Sequence, residues 1–174
     1  MPAGLPIHIA RVSPYARAMT ETAAASPRPS PLLLRRLLAL FYDLWPVLAL
    51  WMLVAVPFTL LDVALSGGNA RHNIAPYSPL QWLLWLCCWA AAGVYATASW
   101  KRGGQTLGMR PWRLHVRGEN GAPSMGRLWK RYAVGTLSLL CGGLGFWWAL
   151  FDRQGLTWHD RLSNTRLVCV PRHG

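Results

Sequence analysis

The sequence is poor in acidic residues and carries no charge at all over three long segments. Asp and Glu together number 6, against 18 Lys and Arg, which gives a formal net charge of +12. Segments 44–61, 79–100 and 132–151 contain no Lys, Arg, Asp or Glu. A soluble domain needs charges on every element to keep one face in water, whereas each of these segments is long enough to cross a bilayer as a helix. The missing charges therefore predict a polytopic membrane protein.

The sequence also lacks the residue patterns of metal sites, cofactor sites and common enzymes. Its four cysteines have no CxxC or Cys/His spacing, and His72, His115 and His159 share no metal-ligand spacing. No GxSxG or HExxH motif is present, and the glycine-rich run 103–108 lacks the Lys-Ser/Thr end of a phosphate loop. We therefore predict a protein that is not an enzyme and holds neither a metal nor a cofactor.

The excess of positive charge points to lipid. The cations flank the apolar segments and form no basic run interleaved with stacking aromatics or a helix-turn-helix pattern. We expect anionic lipid headgroups as the partner and no nucleic acid. Trp82, Trp85 and Trp89 recur at helical spacing and would suit a partner helix, from a second copy or another membrane protein. The alternative is packing within the domain or against lipid.

The distribution of Lys and Arg predicts the orientation. Arg35 and Arg36 precede the first span, and the loop at 66–78 has only Arg71, whereas eight cations lie in the loop between the second and third spans. By the positive-inside rule, the N-terminus and the second loop are cytoplasmic in a bacterial-type inner (plasma) membrane. The composition of residues 1–30 predicts a disordered basic N-terminal tail, which lacks the apolar core of a signal peptide. Met19 is an alternative translation start.

The predicted fold is an all-α polytopic membrane protein with full spans at about 37–65 and 79–100. The third apolar segment, 132–151, contains three glycines in the run 141–145, so it either crosses or forms a glycine-broken re-entrant hairpin. A hairpin would return the C-terminal tail, residues 152–174, to the cytoplasm. Segments 112–116 and 165–170 resemble short strands and would then pair on the cytoplasmic side; the alternative is two irregular loops.

An acid, Asp43, and a base, Arg36, lie seven residues apart within the first helical run. A carboxylate facing the membrane interior costs roughly 2.5–3.5 kcal/mol on insertion scales, so Asp43 requires a partner or a function. Arg36 comes seven residues earlier, on the same helix face at a rise of about 10 Å. We expect the arginine side chain to reach Asp43.

These residues belong to a larger pattern. Residues 36–43 read RLLALFYD, residues 104–108 read GQTLG and residues 158–165 read WHDRLSNT. In this order and at these membrane positions, the three elements resemble the RDD family of membrane proteins, over about residues 31–171. One departure is that Met109, followed by Arg110, stands where family members usually carry a lysine after the Leu-Gly pair.

The resemblance implies which residues matter. Arg36 and Asp43 correspond to the first two residues that name the family, Asp160 is the candidate for the third, and Asp152 is the alternative to Asp160. The supporting motif residues are Gly104, Gln105, Thr106, Gly108 and His159. The family implies a membrane-embedded domain for which transport of a ligand or ion has been suggested.

Two functional hypotheses follow. In the first, the protein carries out ion- or proton-coupled transport, Asp43 titrates, Arg36 balances its charge, and His159 and Asp160 gate access. In the second, the protein is a non-enzymatic structural or accessory membrane component, in which Arg36, Asp43 and Asp160 only stabilise the helix bundle.

Overall fold

A computed structural model describes residues 29–67, 74–119 and 121–170. Almost all of the tail expected at 1–30, including Met19, lies outside these residues, as does Arg71. The described chain is mostly helical, with a two-stranded sheet. In chain order its elements are α1 (Pro29–Leu65), α2 (Pro79–Gly103), β1 (Leu114–Gly118), α3 (Met125–Leu140), α4 (Leu144–Phe151), α5 (Trp158–Ser163) and β2 (Thr165–Cys169).

Helices α1 and α2 are both long and apolar enough to cross a membrane. None of the most apolar stretch of α1 is buried inside the protein, and only about a fifth of that of α2 is. Apolar surface on this scale is not stable in water, so these faces belong against lipid. Helix α1 begins earlier than the expected span at 37, and it continues through Pro46 and Pro57.

The third apolar segment is broken at its glycines, as the sequence predicts. Helices α3 and α4 are bent by 97° relative to each other across residues 141–143. Gly142 (φ 68°) and Gly143 (φ 78°) adopt the left-handed conformation that favours glycine. The segment is therefore not one straight helix, and the bend fits either a broken span or a re-entrant loop.

Strands β1 and β2 form the expected antiparallel pair, with Val116 opposite Leu167. Strand β1 begins two residues later than predicted, at Leu114. An isolated ribbon is only marginally stable. This ribbon lies on a core in which Leu114, Val116 and Leu167 pack with Leu128 and Ala39. The alternative of two irregular loops is therefore wrong.

This core lies at one end of the helix bundle. It joins the first turns of α1, the residues that follow α2, the start of α3 and the sheet. Helix α5 packs on α3 at the same end. We call the sheet, α5 and the residues 104–113 the cap. The cap brings the three sequence elements of the family pattern to one end of the bundle.

Candidate functional site

A buried cluster of three charged side chains joins α1, α3 and α5. Asp160 is 1% exposed, and Arg36 and Arg131 are each 4% exposed. Oδ1 of Asp160 accepts a hydrogen bond from Nη1 of Arg131 at 2.5 Å. Oδ2 lies 2.8 Å from Nη1 of Arg36. The Arg36 N–H groups are not aligned with this oxygen, so the second contact is an ion pair without a directed hydrogen bond.

Helix α5 fixes the position of the carboxylate. Thr157 and Asp160 form a capping box, in which the Thr157 hydroxyl accepts from the Asp160 N–H and the Thr157 N–H donates to Oδ2 of Asp160 at 3.2 Å. Arg131 in turn donates to the Thr165 hydroxyl at 2.7 Å and lies over the Trp100 ring, 5.5 Å from its centroid.

Electrostatics keep Asp160 ionised. Burial alone would raise the pKa of its carboxyl group, but the guanidinium groups of Arg131 and Arg36 outweigh burial and hold that pKa below its ordinary value. His159, the preceding residue, is also buried and stacks on Phe146 at 4.8 Å between ring centroids. Burial, and secondarily the Arg131 charge, lowers the pKa of His159 from 6.5 to about 3, so this imidazole is neutral at pH 7.

Asp43 occupies a second, separate site. Its Oδ1 accepts hydrogen bonds from the Tyr95 hydroxyl and from the Gly108 N–H, both at 2.9 Å. Its Oδ2 accepts from the Thr106 hydroxyl. All three donors are neutral, and no described cation forms an ion pair with Asp43. The carboxylate therefore fastens the turn at 106–108, which is part of the cap, to α1 about one helical turn beyond Ala39.

The GQTLG element supplies this turn. Gly104 ends α2 in the left-handed conformation (φ 70°), and its N–H donates to the Trp100 carbonyl. Gln105 points away from Asp43 and contacts Nδ1 of His115 at 2.9 Å. At Gly108 an added Cβ would lie 2.3 Å from the Ala39 carbonyl oxygen, so only glycine lets the turn approach α1 this closely.

The structure separates residues that the sequence analysis paired. Arg36 was expected to reach Asp43, but it contacts Asp160 instead, because its side chain extends to α5, which packs on α3. Asp152, the alternative to Asp160, forms a different pair with Arg161 at 2.5 Å. Met109, at the position of the family lysine, is buried in the core of the cap.

The sequence analysis missed two residues of the sites. Arg131 was counted only among the loop cations; its one distinguishing signal is that it directly precedes the uncharged segment at 132. Tyr95 carries the single phenol of the segment 79–100, which is a weak signal because tyrosine is common near membrane interfaces.

One cavity connects the two sites. It has a volume of about 170 Å³ and lies between α1, α2 and α3, with Arg36, Asp43, Arg131 and His159 on its wall. Most of the remaining wall is apolar. Within the described residues, no group of three or more His, Cys, Asp or Glu side chains converges on a metal position. The arrangement provides a carboxylate among neutral donors at one level and a guanidinium cluster at another.

The comparisons with known proteins agree with the sequence elements. No curated protein and no solved structure shows significant similarity to the chain. The RDD family model matches residues 30–164, which is most of the chain and includes both aspartate sites, the GQTLG turn and Arg131. With its apolar helices, the chain is a membrane protein, and it belongs to the RDD family.

Proposed function

We propose that this protein carries a proton or a small cation across the membrane, with Asp43 as the carboxylate that takes up and releases it. The observation that carries the proposal is the environment of Asp43: a half-buried carboxylate, on an apolar helix, whose described contacts are three neutral donors and which lines a cavity. An ionisable residue at membrane depth is a functional candidate by default.

The level of Asp43 on α1 supports this role. Phe41, Leu44 and Trp45 surround it along the helix, and all three present exposed apolar side chains. Insertion of a carboxylate at such a level costs roughly 2.5–3.5 kcal/mol. A purely structural contact to the turn at 106–108 needs only a neutral acceptor, which an asparagine would provide without this cost. Retention of a charge that no ion pair cancels favours exchange of a cation or proton.

The oxygen atoms around Asp43 suit such an exchange. The hydroxyl groups of Tyr95 and Thr106 donate to the carboxylate when it is ionised. Protonation of Asp43, or arrival of a hard cation, requires only that these hydroxyls rotate to present their oxygen lone pairs. No ion pair has to break during this change.

The Arg36, Arg131 and Asp160 cluster fits a different task. It is buried, it joins α1, α3 and α5, and neither arginine forms an ion pair with Asp43. We assign it to holding the cap on the bundle. This assignment adopts the structural hypothesis for Arg36 and Asp160 and the transport hypothesis for Asp43. It also replaces the gating role first expected for His159 and Asp160.

Charge at the surface of the cap supports the expected orientation. Arg110, Arg113 and Arg117 are exposed there, and Lys101 and Arg102 are exposed at the adjoining end of α2, whereas Arg131 is buried in the cluster. Exposed cations beside apolar helices favour the cytoplasmic face and anionic headgroups. We therefore place the cap, with the N-terminus, on the cytoplasmic side of a bacterial-type inner membrane.

Flux measurements test the role of Asp43. Wild-type protein, Asp43→Asn and Asp62→Asn are reconstituted at equal amounts into proteoliposomes that contain a pH-sensitive dye, and a proton, Na⁺ or K⁺ gradient is imposed. Asp62 lies on the same helix but does not line the cavity, so its variant controls for loss of a carboxylate on α1. We expect Asp43→Asn to reduce flux to that of empty liposomes and Asp62→Asn to retain it.

Two results would contradict the proposal. Unchanged flux in Asp43→Asn would remove Asp43 from the transport step. Absence of flux in the wild type under every gradient would refute transport and leave the structural or accessory role. Thermal unfolding of each variant before reconstitution separates lost activity from lost protein.

A further inference from the structure

The cavity between α1, α2 and α3 has an apolar wall and a lateral opening. Residues of α3 line it at helical spacing, Arg131, Gly135 and Leu139, which places them on one face. The cavity is partly open, and we place its opening at Leu40 on α1 and Leu139 on α3, because both side chains line the cavity and are 37% and 51% exposed. The exposed apolar faces of α1 flank this opening, so it faces the acyl chains of the bilayer.

Unpartnered polar groups gather at the cap end of this cavity. Nε and Nη2 of Arg36, Nε1 of Trp100 and Nδ1 of His159 are all buried and have no hydrogen-bond partner among the described residues. All three side chains line the cavity. Buried polar groups in native proteins are nearly always satisfied, and each exception calls for an explanation. Arg36 and Trp100 carry only donors, so the missing partner is an acceptor.

The charge balance at this end indicates that the acceptor is negative. Two buried guanidinium groups, those of Arg36 and Arg131, share the single carboxylate of Asp160. His159 is neutral at pH 7 and adds no charge. The other acid on the cavity wall, Asp43, forms no ion pair with Arg36 or Arg131, so it is not a direct counterion of either guanidinium group. One positive charge therefore lacks a local counterion, and anions bind guanidinium groups through charge-assisted hydrogen bonds.

We propose that this cavity binds an anionic amphiphile, with its acid headgroup on Arg36 and Trp100 and its hydrocarbon chain along the apolar wall. The chain leaves through the opening between Leu40 and Leu139. A dry cavity of about 150 Å³ holds a benzene molecule, so about 170 Å³ accommodates the first carbons of one chain, and the rest extends into the bilayer. A fatty-acid carboxylate and a lipid phosphate share this chemistry.

Equilibrium binding of single-chain probes tests the proposal. The full-length protein in a neutral maltoside detergent is titrated with radiolabelled decanoate, decyl phosphate and 1-decanol, which share a chain and differ in the headgroup. We expect saturable binding of about one anionic probe per protein and at least tenfold weaker binding of decanol. Tighter binding of decanoate identifies a fatty acid as the source, and tighter binding of decyl phosphate identifies a lipid phosphate.

A cavity-filling variant provides the decisive comparison. Gly135 lines the cavity, and a Cβ added there would meet no atom within 4 Å, so Gly135→Leu introduces an apolar side chain at the cavity wall without a clash at Cβ or a change of charge. Gly126 lies on the same helix, is equally open and does not line the cavity, so Gly126→Leu is the matched control. We expect at least tenfold weaker binding in Gly135→Leu and wild-type binding in Gly126→Leu.

The charge requirement has its own variant. Arg36→Gln is expected to weaken decanoate binding at least tenfold and to leave decanol binding unchanged. If Arg36→Gln does not fold, Gly135→Leu still tests the site. Equal affinity for decanol and decanoate, no saturable binding, or wild-type binding in Gly135→Leu would each overturn the proposal. Asp43→Asn is expected to keep binding the probe, so failure of transport and failure of this site are distinguishable.

Discussion

The guanidinium of Arg36, near the start of α1, lies 2.8 Å from the carboxylate of Asp160, on α5 near the end of the described chain. Both side chains are buried, and Arg131 shares the same carboxylate. This contact closes the cap on the bundle, because it connects the first apolar helix to the last helical turn. Asp43 is left with neutral partners, so Arg36 and Asp160 belong to one site and Asp43 to another site with different chemistry.

Loss of the shared carboxylate should be far more destabilising than loss of a surface partner. Asp160→Asn leaves two buried guanidinium groups without a counterion, for which we expect a decrease in the free energy of unfolding of about 3–5 kcal/mol. Glu119→Gln is the control, because Glu119 pairs with Arg166 at the surface, where the two side chains are 49% and 48% exposed. There we expect a loss of about 1 kcal/mol. Unfolding in detergent, followed by tryptophan fluorescence, measures both; equal losses would contradict a buried ion cluster.

A methyl group at Gly108 should separate the turn from α1. An added Cβ would lie 2.3 Å from the Ala39 carbonyl oxygen and 2.6 Å from the Asp43 nitrogen, both backbone atoms that have no room to move aside. We expect Gly108→Ala to lower stability by about 1–3 kcal/mol, as overpacking does. The control is Gly103→Ala, where an added Cβ meets nothing within 4 Å. It should be neutral or stabilising, because alanine is the better helix former. A Gly108→Ala protein with wild-type thermal stability would refute the close approach.

The helices, the glycine break and the strand pair could be predicted because each has a local signal. Uncharged length predicts a span, the glycines of 141–145 predict the break, and alternation predicts the strands. Local patterns were sufficient for these elements because their conformation depends mainly on neighbours in the chain.

The pairing of charges could not be predicted in the same way. Helical spacing places Arg36 and Asp43 on one face, but about 10 Å of rise separates them. A partner from a distant element is closer once the cap has folded, and nothing near Arg36 in the chain signals Asp160 as that partner. The family resemblance named Arg36, Asp43 and Asp160 without indicating which of them touch. Arg131 was hidden because it is one of many cations in the same loop.

Acid should destabilise the cap through His159. The pKa of His159 is about 3 in the folded protein, against an ordinary 6.5. Between these pH values the histidine is protonated in the unfolded chain and neutral in the folded protein. The stabilisation is complete above about pH 6.5 and decreases as the pH falls toward 3. From pH 7 to pH 5 we expect a loss of about 2 kcal/mol. Asp160 does not contribute to the change in stability in this window. Because its pKa is lowered, the stabilisation that its charge provides is lost only below about pH 4.

The His159 prediction is checked by thermal unfolding at pH 7, 6 and 5. The wild type should unfold at a lower temperature as the pH falls, and His159→Gln should be much less sensitive because glutamine does not titrate. His115→Gln, at a half-buried histidine of the sheet, is the control for replacing a histidine by glutamine outside the buried cluster. Identical pH dependence in His159→Gln and the wild type would place the acid sensitivity elsewhere.

Chemical labelling should place the cap and the far end of α1 on opposite sides of the membrane. Cys169 lies in the cap, where its sulfur accepts from Arg35 at 2.9 Å, and Ser66 follows the other end of α1. In a background without Cys87, Cys88 and Cys141, we expect a membrane-impermeant maleimide to label Cys169 in spheroplasts only after permeabilisation. Ser66→Cys, in the same background with Cys169→Ala, should label in intact spheroplasts. A denatured sample controls for the partial burial of Cys169.

Each labelling result has a distinct meaning. The contacts of Arg35 with Cys169 and of Arg36 with Asp160 hold the C-terminal part of the described chain at the start of α1, whichever way the protein is inserted. Labelling of Cys169, and not of Ser66→Cys, in intact spheroplasts would keep the fold and reverse the orientation, which would contradict the charge bias of the exposed cap cations. Labelling of both in intact spheroplasts would mean that α1 does not cross, and a carboxylate at Asp43 would then not lie at membrane depth. Protection of Cys169 together with labelling of Ser66→Cys places the Asp43 site between the two ends of a crossing helix, where transport requires it.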